Sequence, residues 1–273
     1  MKKNLLFRCA CVLAVLFALS TPVTAGSSGR KTGAQKDSSK KESKKKEKAP
    51  KDTKSKKDST SDSKKKTYNQ DSVDSSTWDL SVVDTARNVD YMDEIEKDIV
   101  REMNMARSNP KKYADLYIEP RIQKFNGKMY GGRLQTFEGA DAVKDCVKFM
   151  RSQKSLPALS PSKGLTRAAK DLSETQCRTN QTGHTAPDGS DPFQRMKRYG
   201  SYTGTAGENV AYGSKTAREI VVTLLIDDGV TSRGHRKNIL SKDYTVTGIG
   251  FADTHKAYGC ECVLDFAEKY KEK

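Results

Sequence analysis

The sequence predicts an α+β domain with an antiparallel sheet over residues 92–268. Two patterns predict it. Between residues 95 and 226 apolar side chains recur at helical spacings of three and four, whereas after residue 244 they alternate with the period of a strand. Helices first and strands last is the order of an α+β fold, not of repeated βαβ units. A hydrophobic content of 34% in 273 residues supports one such domain.

Taken in order, the elements justify themselves locally. Ile95, Ile99, Met103 and Ala106 fall on one helical face, and Asn109 followed by Pro110 reads as the cap and first residue of a second helix running through Tyr113 and Leu116. Residues 125–137 are Gly-rich and read as irregular. Val143, Cys146, Val147 and Met150 form another stripe, and Ser162 caps a helix carrying Leu165, Ala168, Ala169 and Leu172. Residues 200–207 read as a Gly-rich loop, in which Tyr199 and Tyr202 either line a groove or pack. Thr216 and Glu219 have the spacing of a capping box before an apolar helix ending near Ile226. Residues 244–252 are β-prone, and Tyr258, Cys260, Cys262, Leu264 and Phe266 alternate with Gly259, Glu261, Val263 and Asp265.

The rest of the chain cannot build a core. Residues 1–25 read as a secretory signal peptide: Lys2, Lys3 and Arg8 precede an apolar run from Cys9 to Leu19, and Val23-Thr24-Ala25 offers a cleavage site. That run is short against the roughly 20 residues that span a bilayer. Residues 26–75 read as a disordered basic linker, and 76–91 as a connecting segment that holds the only Trp, Trp78. Within the linker, residues 27–66 carry 16 Lys or Arg against 6 Asp or Glu, so most of the chain's +15 sits there. No aromatic residues interleave these lysines, which argues against specific nucleic-acid binding. Two readings stand: a soluble spacer, or a polycation held by anionic envelope polymers or a membrane surface.

Cys146, Cys177, Cys260 and Cys262 follow the leader. In an extended strand the Cα atoms of Cys260 and Cys262 are about 6.5 to 7 Å apart, at the limit for a mutual disulfide. Three readings stay open: disulfides to Cys146 and Cys177, buried free thiols, or a zinc site.

Two of the three histidines lie in distinctive contexts. His184 belongs to Gly183-His184-Thr185-Ala186-Pro187-Asp188-Gly189, and His235 to Gly234-His235-Arg236-Lys237-Asn238-Ile239-Leu240, with Gly207-Glu208-Asn209 between them. Arg236 and Asn238 read either as partners of the loop presenting His235 or, in the case of Arg236 with Lys237, as exposed charge. His255 reads as an exposed turn residue.

With its closing Gly-x-Gly strand and Tyr-Gly strand, this succession of motifs resembles the CAP superfamily, which includes cysteine-rich secretory proteins, venom antigens and pathogenesis-related proteins. The Gly-His-Arg-Lys-Asn-Ile-Leu form is similar to its bacterial members. The resemblance implies a three-layer α-β-α sandwich with a groove lined by two His and two acids. Matched residue by residue, His184, Glu208 and His235 take three of these places. The fourth is a Glu in a Trp-x-x-Glu pattern, where this chain has Leu224 and Asp227, with Asp228 competing.

Chemically, two neutral imidazoles could bind Zn²⁺ or another divalent cation, which makes His184 and His235 the candidate metal ligands. A His and a carboxylate could also serve a Ser nucleophile, although no Gly-x-Ser-x-Gly elbow is present. A buried polar network that fixes the fold, leaving a vestigial groove, would satisfy the same four residues. The expected function is a secreted, non-catalytic binding module for a cation, a small apolar or glycan ligand, or a lipid. A metal-assisted or serine-type hydrolase is the alternative.

Overall fold

A computed structural model describes Val73 and residues 75–273. The leader and the 27–66 tract, with the expectations attached to them, lie outside the described residues. The described chain opens with a short helix, α1 (Leu80–Val83), capped by Asp79. Trp78, Val83 and Ala86 are buried in the core, so the segment expected only to connect contributes packing of its own.

The stripe beginning at Ile95 folds as α2 (Glu94–Ser108), closed at its start by a capping box between Asp93 and Glu96. Asn109 accepts from the Lys112 amide and starts α3 (Pro110–Tyr113), which continues as a π turn and then a 3₁₀ turn to Lys124. The stretch expected to be irregular instead folds into a small antiparallel sheet of two-residue strands: β1 (Phe125–Asn126), β2 (Met129–Tyr130) and β3 (Leu134–Gln135). Gly127, Gly131 and Gly132 take positive φ at its turns.

After α4 (Ala140–Ser152) and β4 (Ser160–Pro161), Ser162 caps α5 (Lys163–Thr179) through the Leu165 amide. Then come α6 (Pro192–Tyr199), β5 (Gly200–Tyr212), α7 (Ala217–Ile226), α8 (Gly234–Ile239), β6 (Val246–Ala252) and β7 (Glu261–Glu272). Two expectations are corrected here. Residues 200–207 are strand, not loop, and β7 runs beyond residue 268. Thr216 does cap α7, but the carboxylate of Glu219 turns to Arg121 instead of completing a box.

The main sheet has the order β4-β6-β7-β5. It is mixed, not purely antiparallel, because β4 runs parallel to β6. Cys262, Leu264 and Phe266 face the cluster built from α2, α4 and α7, while Val263 and Ala267 face α5 and α6. Helices therefore cover both faces, giving the three-layer α-β-α sandwich. Gly248 and Gly250 let α5 lie directly on β6. A Cβ at either would sit within 2.6 Å of α5 backbone atoms of Leu165 and Thr166 or Ala169 and Lys170.

The four thiols are free and buried. This is the free-thiol reading, and no three of these side chains are grouped for a metal among the described residues. Cys146 Sγ donates to the Leu225 carbonyl at 3.2 Å, and Cys260 Sγ to that of Ser214 at 3.1 Å. Burial pushes the Cys146 thiol up to about 12 and Cys177 up to about 11.

Candidate functional site

Burying a carboxylate requires partners, and β5 places Glu208 where it has two. One oxygen lies 2.7 Å from His184 Nδ1, and the other accepts from the Arg195 guanidinium at 2.6 Å. Arg195, projecting from α6, is fully buried and also donates to the His184 and Ser190 carbonyls. It thus ties the acid and the histidine loop together.

A second acid stands behind this pair. Glu208 is the cross-strand partner of Asp265 on β7. No donor reaches either Asp265 oxygen. Burial, with Glu208 opposite, raises its carboxyl well above the usual range. The neutral form of the Asp265 carboxyl is thereby favoured beside the Glu208 carboxylate. On the same sheet face, burial and then the Glu208 charge push Glu261 up to about 9.

The other half of the site is built from backbone. Asp227 closes α7 in the left-handed region, at φ 56°. Its carboxylate lies 2.7 Å from His235 Nδ1 and accepts from the His235 amide at 2.9 Å. Asp228, the competing residue, faces elsewhere and accepts from the amides of Phe137 and Glu138 at 2.7 and 2.8 Å. The left-handed turn sends two consecutive acids in different directions.

In a neutral ring whose Nδ1–H donates to a carboxylate, Nε2 is the lone-pair atom. The His184 and His235 side chains keep 21% and 13% exposure, and both rings line one cleft of about 340 Å³. Most of the remaining wall is apolar, including Phe125, Tyr130, Leu134, Phe137, Leu224 and Tyr258. Tyr199 and Tyr202, expected either to line a groove or to pack, do the latter, against Met196 and Ala267.

The histidine loop has its own support. Tyr212 Oη accepts from the Gly183 amide and donates to Gln176, whose amide group donates to the Gly183 and Thr185 carbonyls. His255, expected to be exposed, is buried between Tyr212 and Tyr258, with Nε2 3.0 Å from the Gln181 carbonyl. Arg236 is also buried and holds the Leu225 and Ile226 carbonyls, while Asn238 bonds the Asn209 side chain. Of these supports, Arg236 and Asn238 were legible beside His235 in the sequence; Arg195, Gln176 and Asp265 left no signal as site residues.

The three-layer sandwich with two imidazole–carboxylate pairs along one cleft agrees with the resemblance to bacterial CAP domains, which the following matches support. Residues 144–266 match the CAP family, described as the cysteine-rich secretory protein family. A curated relative, the uncharacterized protein YkwD of Bacillus subtilis (strain 168), is 35% identical over 104 residues, which are 38% of this chain and 38% of that protein. The alignment thus spans well under half of that relative's length. Among solved structures, an extracellular SCP-domain protein from Bacillus anthracis (strain Ames) matches with 25% identity and a TM-score of 0.35, over 42% of this chain and 35% of that one. An outer surface protein from Borrelia burgdorferi matches with 20% identity and a TM-score of 0.36, over 49% of this chain and 89% of that one.

Proposed function

We propose that this CAP-domain protein is secreted and acts as a non-catalytic binding module, its cleft taking a small, largely apolar ligand whose polar end meets His184 and His235. One observation carries the reading. Both imidazoles line an apolar cleft with Nδ1 fixed by a carboxylate, and among the described residues no hydroxyl or thiol hydrogen-bonds either ring. The rings are set to recognise a polar group. Secretion rests on the charged and apolar pattern of residues 1–25, and charge-driven retention on anionic polymers or membranes rests on the 27–66 tract.

A divalent cation is the second reading, favoured by the two available Nε2 atoms. The donor set limits it. Glu208 and Asp227 are committed to Nδ1, Arg195 and backbone amides, and no group of three or more His, Cys, Asp or Glu is arranged for a metal among the described residues. Two imidazoles fall short of the three protein ligands usual for catalytic zinc. A cation held there would be weakly bound, with His184 and His235 as its ligands.

Native mass spectrometry of the secreted chain tests both, before and after chelation and in His184→Ala plus His235→Ala. An organic adduct that survives chelation and is lost in the double variant is the expected result. An adduct removed by chelator would transfer the assignment to a cation. Turnover of a peptide or ester panel by wild type, abolished in His235→Ala, would overturn the non-catalytic reading.

A further inference from the structure

The cleft has a wall that the imidazole pairs do not explain. Phe125, Tyr130, Leu134 and Phe137, all from or just after the β1–β3 sheet, line it. Phe137 is 53% exposed, an uncommon position for a large apolar side chain that is nonetheless held in place. Its amide and that of Glu138 donate to the two carboxylate oxygens of Asp228. The Glu138 carboxylate in return accepts from the Gly229 amide at 2.7 Å and from both terminal nitrogens of Arg233 at 2.6 Å. Arg233 also donates to the Asp227 carbonyl at 2.7 Å. The Phe137 ring itself lies over Gly229, where a Cβ would come within 2.7 Å of Cδ2.

The loop that aims Asp227 at His235 therefore also grips the opposite wall, one residue later in the chain. We infer that Phe137 is a ligand-contacting, specificity-determining residue of the cleft, and that Asp228 is the positioning residue that holds it there through the Phe137 and Glu138 amides, beside the Glu138–Arg233 clasp. The inference rests on the cleft being a binding site. The ligand body it selects is apolar, because Phe137 adds a ring to a wall already made of Phe125, Tyr130 and Leu134, while Glu138 pairs with Arg233 and Asp228 is engaged by the Phe137 and Glu138 amides. Gly229 is the only residue type the clasp allows at that point, since it takes φ 78° as well as the ring contact.

The test is saturable fluorescence enhancement of N-phenyl-1-naphthylamine by the full chain, with amide hydrogen exchange read in parallel. Wild type should bind, and Phe137→Ala should weaken binding at least fivefold. Phe137→Ala removes an exposed ring and should fold. Asp228→Ala should weaken binding likewise and speed exchange at the Phe137 and Glu138 amides, whereas Leu116→Ala, which removes another exposed apolar side chain, should bind as wild type does. Wild-type affinity in both Phe137→Ala and Asp228→Ala would overturn the inference and leave the cleft reading standing. No saturable binding by wild type would overturn both. Unchanged exchange at residues 137 and 138 in Asp228→Ala would overturn the positioning role on its own.

Discussion

His184 and His235 each place Nδ1 2.7 Å from a carboxylate, but the two pairs are made from different materials. On the sheet side, Glu208 is held by a side chain, buried Arg195 against one oxygen, and faces Asp265 across the ladder. On the loop side, Asp227 is held by the main chain of α8 and by a left-handed helix end. The shorter acid follows from this. An acid already at the helix end, facing the first amides of α8, needs less reach than one projecting from a regular helix. The difference also sorts the sensitivities of the two halves. A charge network fails when one partner is removed, whereas a backbone cradle fails when the turn is strained.

Arg195→Met should therefore have the largest effect. It leaves Glu208 buried with its charge uncompensated, a loss of about 3–5 kcal/mol where a buried pair is broken. Urea denaturation at neutral pH measures it. A loss under about 1 kcal/mol would show that Glu208 does not depend on Arg195, and the contrast between the halves would disappear.

Next in size is a pH effect confined to the sheet side. The Glu261 carboxyl is raised from 4.5 to about 9 by burial, and its Oε1 has no partner. Because the folded value lies above the unfolded one, its contribution is complete below about pH 4.5 and is lost as the pH climbs toward 9. Glu96, pushed up to about 7 by burial despite Lys170, acts in the same direction. Glu261→Gln should flatten that decline, matching wild type near pH 4 and exceeding it at pH 8 by on the order of 2 kcal/mol. Thermal midpoints across the range decide. A wild type that gains stability from pH 5 to 8, or a variant weaker at both ends, would contradict the protonated carboxyl.

What the sequence made legible follows the same division. The positions of His184, Glu208 and His235 could be read from local motifs, and the helices from spacing, because those signals are contained within a few residues. Strand β5 was hidden because Gly200, Gly204 and Gly207 look like loop. Two of these glycines admit rings from elsewhere: Tyr270 against Gly200, and the Tyr244 hydroxyl within 2.5 Å of a Cβ at Gly207. His255 looked exposed among Asp253, Thr254 and Lys256, yet its cover comes from Tyr212 and the Gln181 carbonyl, far away in the chain. Arg195 and Asp265 were invisible as site residues for a related reason: what they do is set by a strand register and a helix packing that no local pattern encodes. Asp227 and Asp228 could not be told apart, since a single φ decides which faces the imidazole.

That φ supports the finest test of the loop side. Asp227→Ala removes the acceptor for the His235 ring and amide, a loss of about 1–3 kcal/mol for stranded buried donors. Asp227→Gly removes the same acceptor but also the steric cost of a left-handed residue bearing a Cβ, worth about 1 kcal/mol. If the backbone of the α7–α8 turn is what presents the acid, Gly should be more stable than Ala by roughly that amount, against the usual penalty for Gly in a chain. At Glu208, which lies in a regular strand, the order should reverse, with Glu208→Gly weaker than Glu208→Ala. Chemical denaturation of the four variants reads both differences. The same order at the two sites would mean that both carboxylates are held by equivalent backbone, and that only the side chains around Glu208 distinguish them.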